Sequence, residues 1–244
     1  MGKEFLNSTP RYCIWMVHAG PNEMRKFPPL LVRAKEVKDF REKSNRIQTL
    51  KAAKYPLLFA EMRQPDSDYL AIPKVSSERR DYIPIAYCGK ETICGDKLFF
   101  MPNAGLFHFG VLMSEAHMTW VRNVSGRLKG DLRYSKDIVY NNFPWPLEPS
   151  KKQIEAIEKA AQKVLDTRAM FPNSSLADMY DPLSMPPPLV KAHAELNKVV
   201  DLAYRPQPFS SEANRMVFLF ELYEKYTADL FTVQKVKKTK SLQG

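Results

Sequence analysis

Hydrophobic and polar residues follow two different patterns along this chain of 244 residues. Up to about residue 147, short apolar runs are separated by Pro, Asp, Ser and Gly, which is typical of strands joined by turns. Beyond that point, apolar residues recur at three- and four-residue spacing, which predicts amphipathic helices. The pattern therefore predicts a strand-rich, mixed α+β or α/β part at residues 1–147 and an all-α part at residues 148–244.

The apolar runs of the first part give explicit strand predictions. Strands are expected at residues 12–17, 57–62, 69–73, 82–87, 98–101 and 107–113. The run at residues 12–17 is rich in β-branched and aromatic side chains and is expected to be buried. A helix is predicted over residues 33–54.

A second helix of the first part is predicted at residues 115–128, with Ser114 as its N-cap. His117 and Trp120 lie on one face of this helix together with Val121. Both are therefore expected to be packed core residues rather than catalytic groups.

Helix signals are strongest after Pro144-Trp145-Pro146, where two prolines predict a stiff hinge. Ser150 and Gln153 form a capping box that opens the first helix of the second part. The predicted helices span residues 151–170, 186–204 and 211–230.

The net charge of +10 favours an anionic partner, and nucleic acid is the first candidate. Residues 1–147 contain 23 Lys and Arg against 15 Asp and Glu, whereas residues 148–244 contain 14 against 12. Residues 25–54 alone contain 10 basic and 3 acidic residues. This segment is either a solvated helix face or a basic helix lying along a phosphate backbone.

Composition also limits the class of protein. The three cysteines form no zinc-ligand or disulfide pattern, and together with the lack of a signal peptide they favour a reducing cytosol. No apolar run approaches the roughly 20 residues that a membrane span requires. The sequence contains no glycine-rich phosphate loop, no nucleophile elbow and no metal-protease motif. We therefore predict no catalytic set, no metal site and no bound cofactor in this chain.

The basic turn at residues 126–135 is the main candidate for a binding site. Lys129 and Arg133 supply donors next to the acceptor Asp131, and Arg127 adds a further donor. This mixture suits the reading of base edges together with the binding of phosphates. The alternative is an ordinary charged surface turn.

A second polar turn, at residues 75–81, offers hydroxyl and guanidinium groups. Ser76, Ser77, Arg79 and Arg80 are suited to hold DNA phosphates. The alternative is a turn that does no more than connect two strands.

The same segments carry a family resemblance. The motifs are Gly126-Arg127-Leu128, Arg133-Tyr134-Ser135 and Asn142-Phe143-Pro144-Trp145, with further matching segments at residues 11–15, 58–65, 72–80, 107–112, 117–120, 176–183 and 218–223. In this order they resemble the target recognition domain and C-terminal helical domain of MmeI-like type IIG (type IIL) restriction–modification enzymes. The resemblance covers nearly the whole chain.

The resemblance implies a parent enzyme that transfers a methyl group from S-adenosylmethionine to adenine N6 in a short double-stranded DNA site. It implies that the methyltransferase domain lies upstream, that the recognition domain at residues 1–147 lacks its first part, and that the prokaryotic cytosol, next to the nucleoid, is the location. This chain alone is then expected neither to bind the methyl donor nor to methylate DNA.

Within the family, the residues between Gly-Arg-Leu and Arg-Tyr-Ser vary with the DNA sequence that is read. Physically, Lys129 can donate to guanine O6 and N7, while Asp131 can accept from cytosine N4. We predict that these two residues and Arg133 read bases, and that Arg79, Arg80, Arg127, Ser76 and Ser77 contact backbone or bases. The alternative functions are a single-stranded RNA-binding module and a protein-assembly domain.

Overall fold

The computed structural model describes residues 2–240 and divides them into two units. The first, here called the basic unit, is Arg11–Gln64. The second, here called the main unit, comprises the described residues of Met1–Pro10 and Pro65–Gly244. Small antiparallel sheets with helices, followed by a purely helical C-terminal part, confirm the predicted fold class.

The elements follow one another along the chain without internal repetition. The helices are α1 (Gly2–Leu6), α2 (Pro21–Arg25), α3 (Pro28–Glu42), α4 (Ile47–Ala52), α5 (Leu106–Leu112), α6 (Glu115–Val124), α7 (Lys151–Ala169), α8 (Leu176–Met179), α9 (Pro187–Tyr204) and α10 (Glu212–Lys240). The strands are β1 (Tyr69–Pro73), β2 (Val75–Ser76), β3 (Ala86–Cys88), β4 (Leu98–Pro102), β5 (Gly126–Leu128) and β6 (Asp131–Arg133).

The basic unit is helical and corrects three sequence predictions. The single helix predicted over residues 33–54 is two helices, α3 and α4. The strands predicted at residues 12–17 and 57–62 are wrong, because the described residues of this unit contain no strand with which they could pair. Tyr12, expected to be buried, is 93% exposed.

One arginine holds the two longer helices of the basic unit together. The Arg41 guanidinium on α3 donates to the carbonyl oxygens of Ala52 and Tyr55 at 2.8 and 2.9 Å, and to that of Leu58 at 2.9 Å. These carbonyl groups lie at and beyond the C-terminal end of α4, where helical partners are lacking. Arg41 therefore fixes the end of α4 and the following segment against α3.

The main unit contains two three-stranded antiparallel sheets, ordered β3-β1-β4 and β2-β6-β5. Lys74 joins them, since it stands between β1 and β2. Its amide donates to the Lys97 carbonyl oxygen at 3.0 Å, and its carbonyl oxygen accepts from the Tyr134 amide at 2.9 Å. The strand predictions at residues 69–73 and 98–101 are confirmed, and the prediction at residues 82–87 holds only for its last two residues, within β3.

The strand predicted at residues 107–113 is wrong, because this segment forms α5. An apolar run of seven residues fits a buried strand and a buried helix equally well, and only tertiary packing decides between them. Gly110 sits where α5 meets α7 and α9. A Cβ atom there would lie 2.7 Å from Ile157 Cγ2 and 3.2 Å from Ala161 Cβ.

This close approach gives a stability prediction. Gly110→Val is expected to lower the free energy of unfolding by about 3 kcal/mol, because added methyl groups overpack a fully buried contact. Gly126→Val is the matched control, since a Cβ at Gly126 meets nothing within 4 Å. Chemical unfolding of both variants measures the difference. Equal free energies of unfolding would contradict the prediction, because they would show that the residues around Gly110 accommodate the added methyl groups without loss of stability.

The C-terminal helices begin as predicted. Ser150 and Gln153 form the expected capping box at the start of α7, and α9 ends at Tyr204 as predicted. The last helix continues to Lys240, beyond the predicted residue 230. Arg168 on α7 is buried and donates to the Tyr180 hydroxyl at 2.5 and 2.8 Å and to the Ile85 carbonyl oxygen at 2.8 Å.

The segment expected to act as a hinge is packed into the main unit. Pro144 and Pro146 are buried. Their neighbouring carbonyl groups are held by α9 and α10, since Tyr204 donates to Pro144 O at 2.9 Å and Tyr226 donates to Trp145 O at 2.6 Å. Buried residues from both sides of residue 147 belong to one continuous core. The strand-rich and helical parts of the main unit are thus one folded body.

Candidate nucleic-acid interface

The basic turn at residues 126–135 is a β-hairpin rather than the end of a helix. Helix α6 starts at its predicted Ser114 cap, whose hydroxyl accepts from the His117 amide, but it ends at Val124. Strand β5 then pairs with β6, with Leu128 opposite Asp131. Lys129 and Gly130 form the two-residue connection, and Lys129 has a φ of +58°. Tight hairpin turns place their first central residue in this region, at a cost of about 1 kcal/mol for a residue with a Cβ.

Side chains along β6 point alternately to the solvent and to the core of the main unit. Asp131 and Arg133 are exposed, whereas Leu132 between them is fully buried in the main core. Directly after the strand, Tyr134 is buried and its hydroxyl lies 3.0 Å from His117 Nε2. Asp131 and Arg133, two of the residues predicted to read bases, therefore lie on a short strand that buried Leu132 fixes to the core.

His117 and Trp120 are packed residues, as predicted. His117 Nδ1 lies 2.8 Å from the Leu112 carbonyl oxygen, so Nδ1 carries the ring proton and Nε2 accepts from Tyr134. Burial lowers the pKa of His117 to about 4, so the ring is neutral at physiological pH. Trp120 Nε1 donates to the Val139 carbonyl oxygen at 3.0 Å. His117 thus holds the residue that directly follows the hairpin, and Trp120 holds the next turn, at residues 136–140.

The exposed end of the hairpin is cationic with one acceptor. Lys129 and Arg133 are exposed and form no ion pair within the described part of the chain. Asp131 is exposed between them. Three charged side chains with different hydrogen-bonding chemistry are thus exposed at alternate positions of the hairpin, one in its turn and two on β6. A polar edge of this kind can distinguish base pairs in a major groove, where each pair presents its own set of donors and acceptors.

The turn at residues 75–81 is next to the hairpin, because β2 pairs with β6, with Val75 opposite Arg133 and Ser76 opposite Leu132. Ser76 shares the inward face with Leu132 and is 2% exposed. Its expected contact with DNA is therefore not compatible with this conformation, since its hydroxyl has no accessible surface. Ser77 is half-buried, and its hydroxyl accepts from the Arg79 amide at 3.4 Å.

The two arginines of this turn differ in their surroundings. Arg79 is exposed and forms no ion pair among the residues that the structure describes. Arg80 is half-buried, and burial lowers its pKa, although Asp181 and Asp131 oppose this shift. Arg80 Nε is buried without a hydrogen-bond partner in the described structure. Arg79 thus remains available to a ligand, while Arg80 lies within electrostatic reach of the hairpin acid.

Glu78 is a residue of this site that the sequence did not single out. Its carboxylate lies 3.6 Å from Arg127 Nη1, and a Cβ at Gly130 would be only 3.2 Å from its Oε1. Arg127 also donates to the Arg122 carbonyl oxygen at 3.4 Å. Glu78 thereby contacts both the first strand of the hairpin and its tip. No local pattern reveals this contact, because about 50 residues separate the partners in sequence and strand pairing brings them together.

Within the described residues, no other cluster supports chemistry. No group of three or more His, Cys, Asp or Glu residues that could hold a metal ion occurs among them. His193 is fully buried; its Nε2 accepts from the Tyr180 hydroxyl at 2.8 Å, and its Nδ1 is buried without a hydrogen-bond partner in the described structure, so the ring is a core residue rather than part of an exposed site. None of the helices described is both long and apolar enough to cross a bilayer.

Comparisons with known proteins identify the family of this chain. The family described as "MmeI, target recognition domain" matches residues 1–147, and the family described as "MmeI, C-terminal domain" matches residues 149–231. A relative from Bacillus subtilis (strain 168), "DNA methyltransferase A", is 38% identical over 224 residues, which are 92% of this chain and 25% of the relative.

A solved structure shows the same fold. The type IIL restriction–modification enzyme MmeI, determined in complex with DNA, superposes with a TM-score of 0.90 at 44% sequence identity. The match covers 93% of this chain and 30% of the MmeI chain. The chain thus spans roughly a quarter to a third of the length of these relatives. From the family matches and this fold, we conclude that the chain belongs to the MmeI family, of which it comprises the target recognition and C-terminal domains.

Proposed function

We propose that this chain is the double-stranded DNA recognition part of an adenine-N6 methyltransferase of a restriction–modification system. The observation that carries the proposal is the hairpin of β5 and β6, where Lys129 is exposed in the turn and Asp131 and Arg133 are exposed on a strand anchored by buried Leu132. MmeI was solved with DNA, and the relative from B. subtilis is a DNA methyltransferase. Both support DNA as the partner.

The proposed role of each residue follows from the chemistry of its side chain. Lys129 donates to a guanine, Asp131 accepts from the cytosine of the same pair, and Arg133 reads a neighbouring position. Arg79, Arg127 and Ser77 contact the phosphate backbone or base edges, and Arg80 and Glu78 support the hairpin. The recognition part ends at residue 147, and the helical C-terminal part stabilises it by packing.

Methyl transfer itself belongs to the upstream methyltransferase domain of the parent. That domain binds S-adenosylmethionine and receives the adenine after it leaves the helix. The recognition part must then keep a fixed position relative to the methyltransferase domain, because the recognised bases lie at a constant distance from the adenine that is methylated. We place this activity in the cytosol of the cell, where its DNA substrate lies.

A competitive selection tests the proposed function. The chain of 244 residues is incubated with a duplex pool of randomised sequence, and bound DNA is sequenced after several rounds. The expected result is a short enriched motif with at least one fixed G·C pair. Single-stranded RNA of the same sequence is expected to compete at least about tenfold more weakly than the duplex. Equal competition by RNA, or a selected pool without any motif, would contradict sequence-specific duplex recognition.

A further inference from the structure

The strongest charge asymmetry of the chain lies outside the hairpin, in the basic unit. Arg11–Gln64 contains 12 Lys and Arg against 5 Asp and Glu, an excess of 7 within the total of +10. This unit has little core of its own, since Ala34 and Ala53 are its fully buried hydrophobic residues among those whose burial is described. Its charge is thus carried on a small, highly exposed body.

Within the basic unit, one stretch, residues 43–60, accounts for 4 of the 7 excess positive charges because it contains no Asp or Glu. Lys43, Arg46, Lys51 and Lys54 in this stretch are all exposed, and none forms an ion pair with another described residue. Elsewhere in the unit, by contrast, Lys38 is paired with Glu42 at 3.7 Å and Arg63 with Glu61 at 3.2 Å. The four cations of residues 43–60 have no such carboxylate partner among the described residues.

The backbone of this stretch is held in one conformation. Arg41 binds the carbonyl oxygens of Ala52, Tyr55 and Leu58, and the Ser44 hydroxyl accepts from the Arg46 amide at 3.2 Å. Exposed Asn45 and Gln48 add neutral donors between the cations. A surface of ordered cations and amide donors matches the chemistry of phosphate contacts, which use Lys, Arg, Asn and Gln side chains.

We propose that Lys43, Arg46, Lys51 and Lys54 form a second, sequence-independent surface that binds the phosphates of duplex DNA. Helix α4 is about 9 Å long, and a duplex carries a phosphate about every 1.7 Å of its axis. Lys51 lies in α4, and Arg46 and Lys54 lie within two residues of its ends, so a duplex along this helix would offer about five phosphates to these cations. The proposal rests on duplex DNA as the partner of the chain, but not on which residues read its bases.

A salt titration tests this surface. Binding of the whole chain to a labelled random-sequence duplex is followed by fluorescence anisotropy at several salt concentrations. The variant K43Q/R46Q/K51Q/K54Q is expected to flatten the dependence of log K on log salt by about 2–4, and to weaken binding near 0.1 M salt roughly tenfold or more. Circular dichroism and thermal melting verify that the variant retains its fold.

Two control variants separate specific contacts from net charge. K152Q/K159Q/K191Q/K198Q removes the same charge from exposed positions of α7 and α9, and it is expected to change the slope by less than about 1. The variant K43R/K51R/K54R keeps the charge and should retain the wild-type slope.

Three outcomes would overturn the proposal. Equal losses in the two charge-matched variants would mean that only net charge matters. A quadruple variant that binds like the wild type would assign this surface to another partner, such as an acidic protein. Absence of duplex binding by the wild type at low salt would also reject it. A flat sequence selection with an intact salt effect would instead reject the base-reading hairpin alone.

Discussion

Replacing Lys129 by Gln and Asp131 by Asn is expected to change the base preferred at one position of the DNA site by roughly 10- to 100-fold. Asp131→Asn keeps the size of the side chain and Lys129→Gln shortens it slightly, and together they remove the charged donor and the charged acceptor. Because one base pair presents one pattern of donors and acceptors, the effect should be confined to one position. Total affinity for duplex DNA should fall only a few-fold, since phosphate contacts elsewhere are retained.

The chain offers a matched control for this experiment. Lys136 and Asp137 form an exposed ion pair in the π-helical turn Lys136–Tyr140, close to the hairpin in sequence but outside it. The variant K136Q/D137N makes the same chemical change there and should leave every base preference unchanged. Sequencing of selected duplexes for both variants measures the difference. If K129Q/D131N selects the wild-type motif, the assignment of these residues to base reading is wrong.

The second large expected effect is a loss of folding stability at acid pH. His117 and His193 are buried in the main unit, where burial lowers the pKa of His117 to about 4 and burial, with the Arg168 charge, lowers that of His193 to about 3. The unfolded chain takes up protons below pH 6.5, while the folded chain keeps both rings neutral. Folding stability is therefore complete above about pH 6.5 and decreases as the pH falls towards the two folded-state values.

The size of the acid effect follows from these values. Between pH 7 and pH 5, each buried histidine is expected to reduce the free energy of unfolding by about 2 kcal/mol. This window lies above the range in which ordinary carboxyl groups take up protons, so the histidines dominate the change. Urea unfolding at both pH values measures it.

Substitution identifies the source of the acid effect. His193→Gln is less stable at neutral pH but cannot take up a proton, so its loss of stability between pH 7 and pH 5 should be smaller by about 2 kcal/mol. Exposed His18, replaced by Gln, is the control and should behave like the wild type. If His193→Gln shows the full acid dependence of the wild type, His193 is not a source of it.

The sequence predicts some elements of this fold much better than others. Starts of helices were found where a side chain caps its own helix, as at Ser114 and Ser150, because a cap is a local interaction. The strand prediction at residues 107–113 failed because a short apolar run does not reveal which neighbours bury it. The run at residues 12–17 has strand-forming residues but lies in a unit whose described part offers no strand to pair with.

The candidate site was likewise predictable where it depends on nearby residues and not where it depends on distant ones. Lys129, Asp131 and Arg133 are recognisable from the sequence because they alternate within one short segment and carry the expected chemistry. The pairing of β2 with β6, which places Val75 opposite Arg133 and turns Ser76 inward, depends on contacts between segments more than 50 residues apart. The support from Glu78 depends on the same pairing, and residue types alone did not indicate it.

Hydrogen exchange followed by mass spectrometry tests the central claim most directly, because it locates bound DNA on the chain without any substitution. The chain is compared alone and with the duplex obtained by selection, at a concentration that saturates binding. We predict slower exchange for peptides covering residues 126–135 and 75–81, where the hairpin and its neighbouring turn lie. Unchanged exchange in both segments, with the duplex demonstrably bound, would contradict the account and place the recognition surface elsewhere on the molecule.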